Sequence, residues 1–287
     1  MNRAFMVLAL WLLPSFGAAQ EIGTFTLVEG SPRVIRGTAV LRGSEGMRFE
    51  TGDIVECSAP GFVQAEFPGG AVIAFGPSTR VWIRTAGAKG TELVLMSGWL
   101  KGEIPASGGA YRYVSPLLSA TTRNGSVILH AAAGTADIFV ESGSADVGNV
   151  AGRGQAAKAG QFFTRRAPKN VAVSPRPDAA FLESMPRPFR DTLPSRLSHF
   201  AGKRAVEPKR DHDVTFAEVE PWLKIGSGRR AFEERFQPRL RDAEFRKAVE
   251  PHLADYPEWD RVLHPEKYQQ NSPAAPAETA KTPSGRD

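Results

Sequence analysis

From Ile22 to Arg166, apolar and polar residues alternate with a period of two rather than 3.6. In FVQAEF (62–67), Val63, Ala65 and Phe67 fall on one face of an extended chain, and Gln64 and Glu66 fall on the other. Pro68-Gly69-Gly70 then predicts a turn and AVIAF (71–75) a new strand, and VWI (81–83) and ELVLM (92–96) continue the pattern. Within LLSATTRNGSVILHA, Asn124-Gly125 predicts a two-residue hairpin turn, because both positions tolerate positive φ, with TTR and SVIL as the paired strands. ADIFVES (136–142) and QFFTR (161–165) add two more. Each strand ends in Gly, Pro or Asn-Gly, and no long helical pattern intervenes. The expectation is a mainly β sandwich, barrel or stacked architecture over residues 22–166.

Beyond Arg166 the character changes. APKNVAVSPRPD opens a proline-rich connector over residues 167–180, read as a stiff spacer or a folded-over strand. AAFLESM starts a helix, which Pro186, Pro188 and Pro194 keep from continuing. In TFAEVEPWL, Thr215 and Glu218 form a capping box ahead of an apolar run. RRAFEERF and DAEFRKAVEPHL place Phe232, Phe236, Phe245, Val249 and Leu253 at helical spacing, with Trp259, Val262 and Leu263 available to pack on them. A small helical region over residues 181–268 follows from this pattern. The tail, residues 269–287, carries too few apolar side chains to order itself.

The first residues read differently. Asn2-Arg3 precedes the apolar run FMVLALWLL, and Gly17 and Ala19 supply the small residues of a cleavage site, so residues 1–19 read as a secretory signal peptide. The run is too short to cross a bilayer core, and the mature chain is expected in the periplasm or outside the cell without spanning a membrane. The formal charge is +5 for 287 residues. Cleavage removes Arg3 and no acidic residue. The remaining charges are intermixed, without the basic stripe of a nucleic-acid binder. Cys57 is the single cysteine, which excludes an internal disulfide, and in DIVECS it reads as a small buried apolar group.

Several short elements recur in a family order: EGSPRVIRG (29–37), TGDIVECSAPGFVQAEFPGGAVIAFGPSTRVWI (51–83), LMSGWLKGE around Gly98, VSPLLSATTRNGSVILH near Ser115-Pro116, ADIFVESGSADV and AKAGQFF. Together they resemble the FecR-domain family over about residues 22–166. The resemblance implies a β-solenoid-like or sandwich-like domain working outside the inner membrane. Its best-known members pass a signal from an outer-membrane transporter to a cytoplasmic sigma factor. They carry a cytoplasmic segment and a transmembrane helix before the domain. A cleavable signal replaces these here, so no direct sigma-factor contact is expected and only the extracytoplasmic binding role carries over.

Candidate chemistry is sparse. His130, His199, His212, His252 and His264 do not pair at zinc-site spacings. Asp211-His212-Asp213 is the densest polar cluster and reads as a solvated loop, with weak metal binding as the alternative. No G-x-S-x-G elbow or phosphate-binding glycine pattern occurs. Asp53 reads as a turn residue accepting backbone N–H groups. Tryptophan is enriched where proteins grip partners, which makes Trp82, Trp99 and Trp222 the candidate partner-binding residues. The expectation is a non-enzymatic, exported binding or sensory module. It has no cofactor, metal or catalytic residue, and its partner is an envelope protein or a cell-wall glycan. The alternative is a cell-wall-active or metal-dependent hydrolase using Asp211-His212-Asp213.

Overall fold

A computed structural model of the chain describes residues 21–87, 90–150, 152, 154–226 and 228–269. The expected signal peptide and the tail beyond Gln269 lie outside these residues. The described residues form two compact units, one of 21–36 with 41–210, the other of 37–40 with 211–269. The protein is mainly β, with a small C-terminal helical region.

The strands run β1 (Glu21–Glu29), β2 (Arg33–Arg36), β3 (Ala39–Arg42), β4 (Arg48–Glu50), β5 (Ile54–Glu56), β6 (Phe62–Glu66), β7 (Val72–Phe75) and β8 (Arg80–Thr85). Three long strands follow with their shorter neighbours: β9 (Thr91–Ile104), β10 (Tyr111–Val114), β11 (Leu118–Ala132), β12 (Thr135–Asn149), β13 (Gln155–Lys158), β14 (Phe162–Arg166) and β15 (Ala172–Ser174). One mixed sheet results, with a path β15-β14-β12-β11-β10-β9-β8-β5-β2 and a branch from β9 through β7, β6 and β1 to β4.

The long strands give the sheet its curvature, because their two halves have different neighbours. The first half of β9 pairs with β8 and, in parallel, with β10, and its second half pairs with β7 and β11. A straight strand of 14 residues would be about 45 Å long, and the residues joining Ile104 to Tyr111 reach about 25 Å at most. Since β10 nevertheless lies beside the start of β9, the strand has to curl. It bends at Gly98.

The Asn124-Gly125 step serves the same end. It forms no hairpin turn. TTR and SVIL belong to the single strand β11, which bulges between Thr122 and Asn124 and turns at Gly125 with φ 95°. Gly125 lies opposite Gly143 of β12, where φ is 70°. A Cβ on Gly125 would sit 2.2 Å from the Ser142 carbonyl oxygen. The pair is the crease at which β11 and β12 bend together. Of the two positions expected to take positive φ only Gly125 does, and a strand bend satisfies it as well as a turn does. The tight hairpin lies instead at Ala133-Gly134, closed by the Ala132–Thr135 pair.

Curling brings the inner faces of the sheet together. Phe49 meets Phe25 and Phe67 at ring-centroid distances of 5.2 and 4.9 Å, and Phe67 meets Tyr111 of β10 edge-on at 5.6 Å. Tyr113 is fully buried over Gly102 of β9, a position where any Cβ would collide with its hydroxyl.

The outer face of the curled half is also covered. Residues 167–180 do not run clear of the sheet: β15 folds back antiparallel on β14, and Asp178 then caps helix α1 (Ala179–Ser184) by accepting from the Phe181 N–H at 2.7 Å. The next residues, through 3-10 turns at Arg187–Arg190 and Leu197–Phe200, form a strap across the sheet. Phe181, Met185, Phe189 and Leu193 of the strap pack with Phe62, Val72, Trp99 and Phe162 in one buried cluster. Residues 181–200, expected with the helical region, thus lie in the first unit.

In the second unit the capping box holds as expected, with Glu218 reaching back to the Thr215 N–H at 2.9 Å at the head of α2 (Phe216–Leu223). Helices α3 (Arg229–Phe236), α4 (Ala243–Val249), α5 (Pro257–Leu263) and α6 (Glu266–Gln269) follow. Phe232, Phe236, Phe245, Val249 and Leu253 are all buried, and the Trp259 indole donates to the Glu233 carbonyl at 3.0 Å.

The crease makes a direct prediction. Gly125→Val should destabilise the protein by about 3 kcal/mol or more in urea unfolding, since it adds both a left-handed β-branched residue and a backbone collision. Substituting Ala at Gly134, where nothing lies within 4 Å, should cost far less.

Candidate binding face

The face under the strap carries charge where a packed sheet normally carries none. Gln64 and Glu66, the polar positions of FVQAEF, are 1 % exposed, and every residue of β6 is buried. Lys101 of β9 is fully buried. An ammonium group out of water is unfavourable by several kcal/mol unless its hydrogen bonds are replaced. Here Lys101 Nζ donates to the carbonyls of Phe189 and Asp191 at 3.0 and 2.9 Å, and it lies 2.8 Å from Glu141 and 3.3 Å from Glu103. Glu103 in turn accepts from the Leu193 N–H at 2.9 Å.

Glu66 holds the next turn of the strap. It accepts from Ser195 Oγ and the Arg196 N–H, both at 2.6 Å, and from the Leu197 N–H at 3.3 Å. Gln64 Nε2 donates to the Pro194 carbonyl at 2.9 Å, and Arg196 Nε donates to the Thr26 carbonyl at 3.1 Å. Burial, the largest influence on Glu66, raises its pKa. Hydrogen bonds from Ser195, the Arg196 main chain, Thr26 and Gln64 outweigh it and leave the carboxyl below its ordinary value. Most of these contacts are to main-chain groups of residues 189–197, so the face recognises the path of the strap more than its side chains.

A second polar row crosses the same half of the sheet. Trp99, His130, Asp137 and Thr164 are successive register partners on β9, β11, β12 and β14. His130 stacks on Trp99 with centroids 4.3 Å apart, and its Nδ1 lies 3.3 Å from Asp137. Asp137 also accepts from Thr164 at 2.7 Å and from Arg166 at 2.6 Å. Burial raises its pKa most strongly, but the hydrogen bonds from His130, Arg166 and Thr164, with the Arg166 charge, bring it below its usual range.

The remaining sequence candidates fall in separate places. Trp82 is buried in β8 with the Arg84 guanidinium 5.5 Å from its ring, Trp99 is buried against Phe181, and Trp222 is fully buried beside Phe232 in the second unit. All three indoles are packing elements, and the structure brings no two of them together. Asp53 accepts the Glu50 N–H at 2.9 Å as a turn residue should, and Arg36 adds a two-pronged contact at 2.9 and 2.7 Å. Cys57 is buried, and its thiol is pushed up to about 12 by burial first and the Glu56 charge second, which keeps it protonated. Asp211-His212-Asp213 lies at the end of a short strand, β16 (Lys209–Asp213), rather than in a loop. His212 sits between Asp211 at 3.2 Å and Glu218 at 3.0 Å. Among the described residues no three His, Cys, Asp or Glu side chains come together to hold a metal ion, and no helix is long and apolar enough to cross a membrane.

No family model and no curated protein matches the chain. Two solved structures from Parabacteroides distasonis, each described as a "putative anti-sigma factor", resemble it. They are 10 % and 11 % identical, both with a TM-score of 0.39, over 45 % and 46 % of this chain. The chain spans 62 % and 64 % of theirs, less than two thirds in each case.

The clamp should be measurable. Lys101→Met leaves two carboxylates without their shared cation and should lower unfolding free energy by about 3 kcal/mol. The pH response has a defined sign. A carboxyl whose folded pKa is lowered stabilises the fold above its unfolded value and loses that contribution as pH falls through the folded value. The melting temperature should therefore hold from neutral pH down to about 5 and then fall, and Glu66→Gln should start lower and fall less steeply.

Proposed function

We propose that the chain is an exported, non-enzymatic binding and sensory module of the cell envelope, FecR-like in its β unit. It engages a protein or glycan partner and takes part in transmembrane signalling through a separate membrane component. The observation that carries this reading is the use of buried Lys101, Glu66 and Gln64 to bind main-chain groups along residues 189–196. That is the chemistry of peptide recognition on a β scaffold, here satisfied by the chain's own strap. The sheet also ends in strands open to another chain. Gln155, Ala156 and Lys158 of β13 are exposed, as are Ala172 and Val173 of β15, with Val173 at 45 %. An extended partner adds to such an edge through main-chain hydrogen bonds.

Two measurements test the reading. N-terminal sequencing of the protein recovered from the periplasm should begin at Gln20. A photo-crosslinking residue at Val173 should give one discrete adduct in envelope fractions, and the same group at exposed Ala133 should give none. A chain retaining residues 1–19, or one without an adduct at Val173, contradicts the proposal.

A further inference from the structure

A second register row crosses the sheet, Arg33 on β2, Glu56 on β5, Arg80 on β8 and Ser97 on β9. Register partners project from the same face. Glu56 is 6 % exposed and lies between the two guanidinium groups, 2.6 Å from Arg33 and 3.4 Å from Arg80. Its Oε1 is buried without a hydrogen-bond donor. Arg80 shares this carboxylate with Arg33, and its side chain remains 41 % exposed. A cleft of about 460 Å³ opens over it, and Ser58, Ser78 and Ser97 line the rim. Among the described residues none hydrogen-bonds to these three hydroxyls.

Two backbone irregularities converge on the same cleft. The β8–β9 register shifts between Arg80 and Val81, a bulge of the kind that re-aims a side chain. Ser78 has φ 53°, the sole non-glycine residue with positive φ among the described residues. A serine held there against its preference is a local strain that turn geometry alone would assign to glycine. Cleft volume, serine hydroxyls and an outward guanidinium on a pinned carboxylate match a small ligand rich in hydroxyls and bearing an oxyanion.

We infer that this cleft binds an acidic saccharide, with the sugar's carboxylate or phosphate on Arg80 and its ring hydroxyls on Ser58, Ser78 and Ser97. The inference rests on the reading of the chain as a binding module and names a ligand class for it, at a site apart from the β15 edge.

Calorimetry of the full chain with digalacturonate, glucose 6-phosphate, cellobiose and inorganic phosphate tests it. Either sugar anion should bind at least tenfold more tightly than cellobiose and than phosphate alone, and the tighter of the two identifies the oxyanion. Arg80→Gln should weaken that binding about tenfold or more, as expected for a lost charged hydrogen bond. Ser78→Gly keeps the positive φ, removes one hydroxyl and should weaken binding severalfold without lowering the melting temperature. Equal binding of phosphate and glucose 6-phosphate, no binding of either sugar anion, or unchanged binding by Arg80→Gln overturns the inference. A surviving Val173 adduct then shows that the binding-module reading stands without it.

Discussion

The ammonium group of Lys101 is fully buried, and its position is tenable only because the strap brings two carbonyls to it. That dependence runs in both directions. Without the strap the outer face of the curled sheet would expose Phe62, Val72 and Trp99 around a charged centre, and without Lys101 and Glu66 the strap would have no fixed path. Apolar burial supplies most of the attraction, since Phe181, Met185, Phe189 and Leu193 each leave water. The buried polar contacts add direction, because an unpaired carbonyl or amide in that interface costs about 1–3 kcal/mol for each group left unmet. A fold held in this way has one register for the strap.

Strand register makes the arrangement possible. Glu66, Val72, Glu103 and Ser126 are successive partners on β6, β7, β9 and β11, so Glu66, Lys101, Glu103 and Glu141 come within reach of a single segment. The bend at Gly98 falls between Ser97 and Trp99, where the two register rows meet β9. The Trp99–His130–Asp137–Thr164 row starts from the second half of β9, and the Arg33–Glu56–Arg80–Ser97 row from its first half. One row packs aromatic and acidic groups together, and the other presents cations and hydroxyls to solvent.

Local features of this fold were legible in the sequence. Alternation placed the strands, Thr215 and Glu218 announced their cap, and Cys57 declared itself buried by its strand context. Asn124-Gly125 was legible only in part: Gly125 takes the positive φ that the dipeptide suggests, but nothing nearby distinguishes a chain reversal from a crease in a long strand. The strap was not legible. Its partners lie about 90 to 130 residues away in sequence and are recognised largely through main-chain atoms, which leave no side-chain signature to read. Gln64 and Glu66 could be placed on one face but not assigned a partner, because polar alternation is the same whether water or a backbone satisfies it. The oxyanion cleft was hidden likewise, because Arg33, Glu56, Arg80 and Ser97 become neighbours only through sheet register.

The sequence separation of the strap also orders events during synthesis. Glu66 and its partners at 195–197 are 129 to 131 positions apart, so β6 leaves the ribosome well before its cover. For that interval the nascent chain has a greasy, charge-studded surface that no later strand of the sheet can hide. Closure of so long a loop is slow compared with hairpin pairing. The Glu66 carboxylate therefore waits for residues 195–197 to be made before its hydrogen bonds can form.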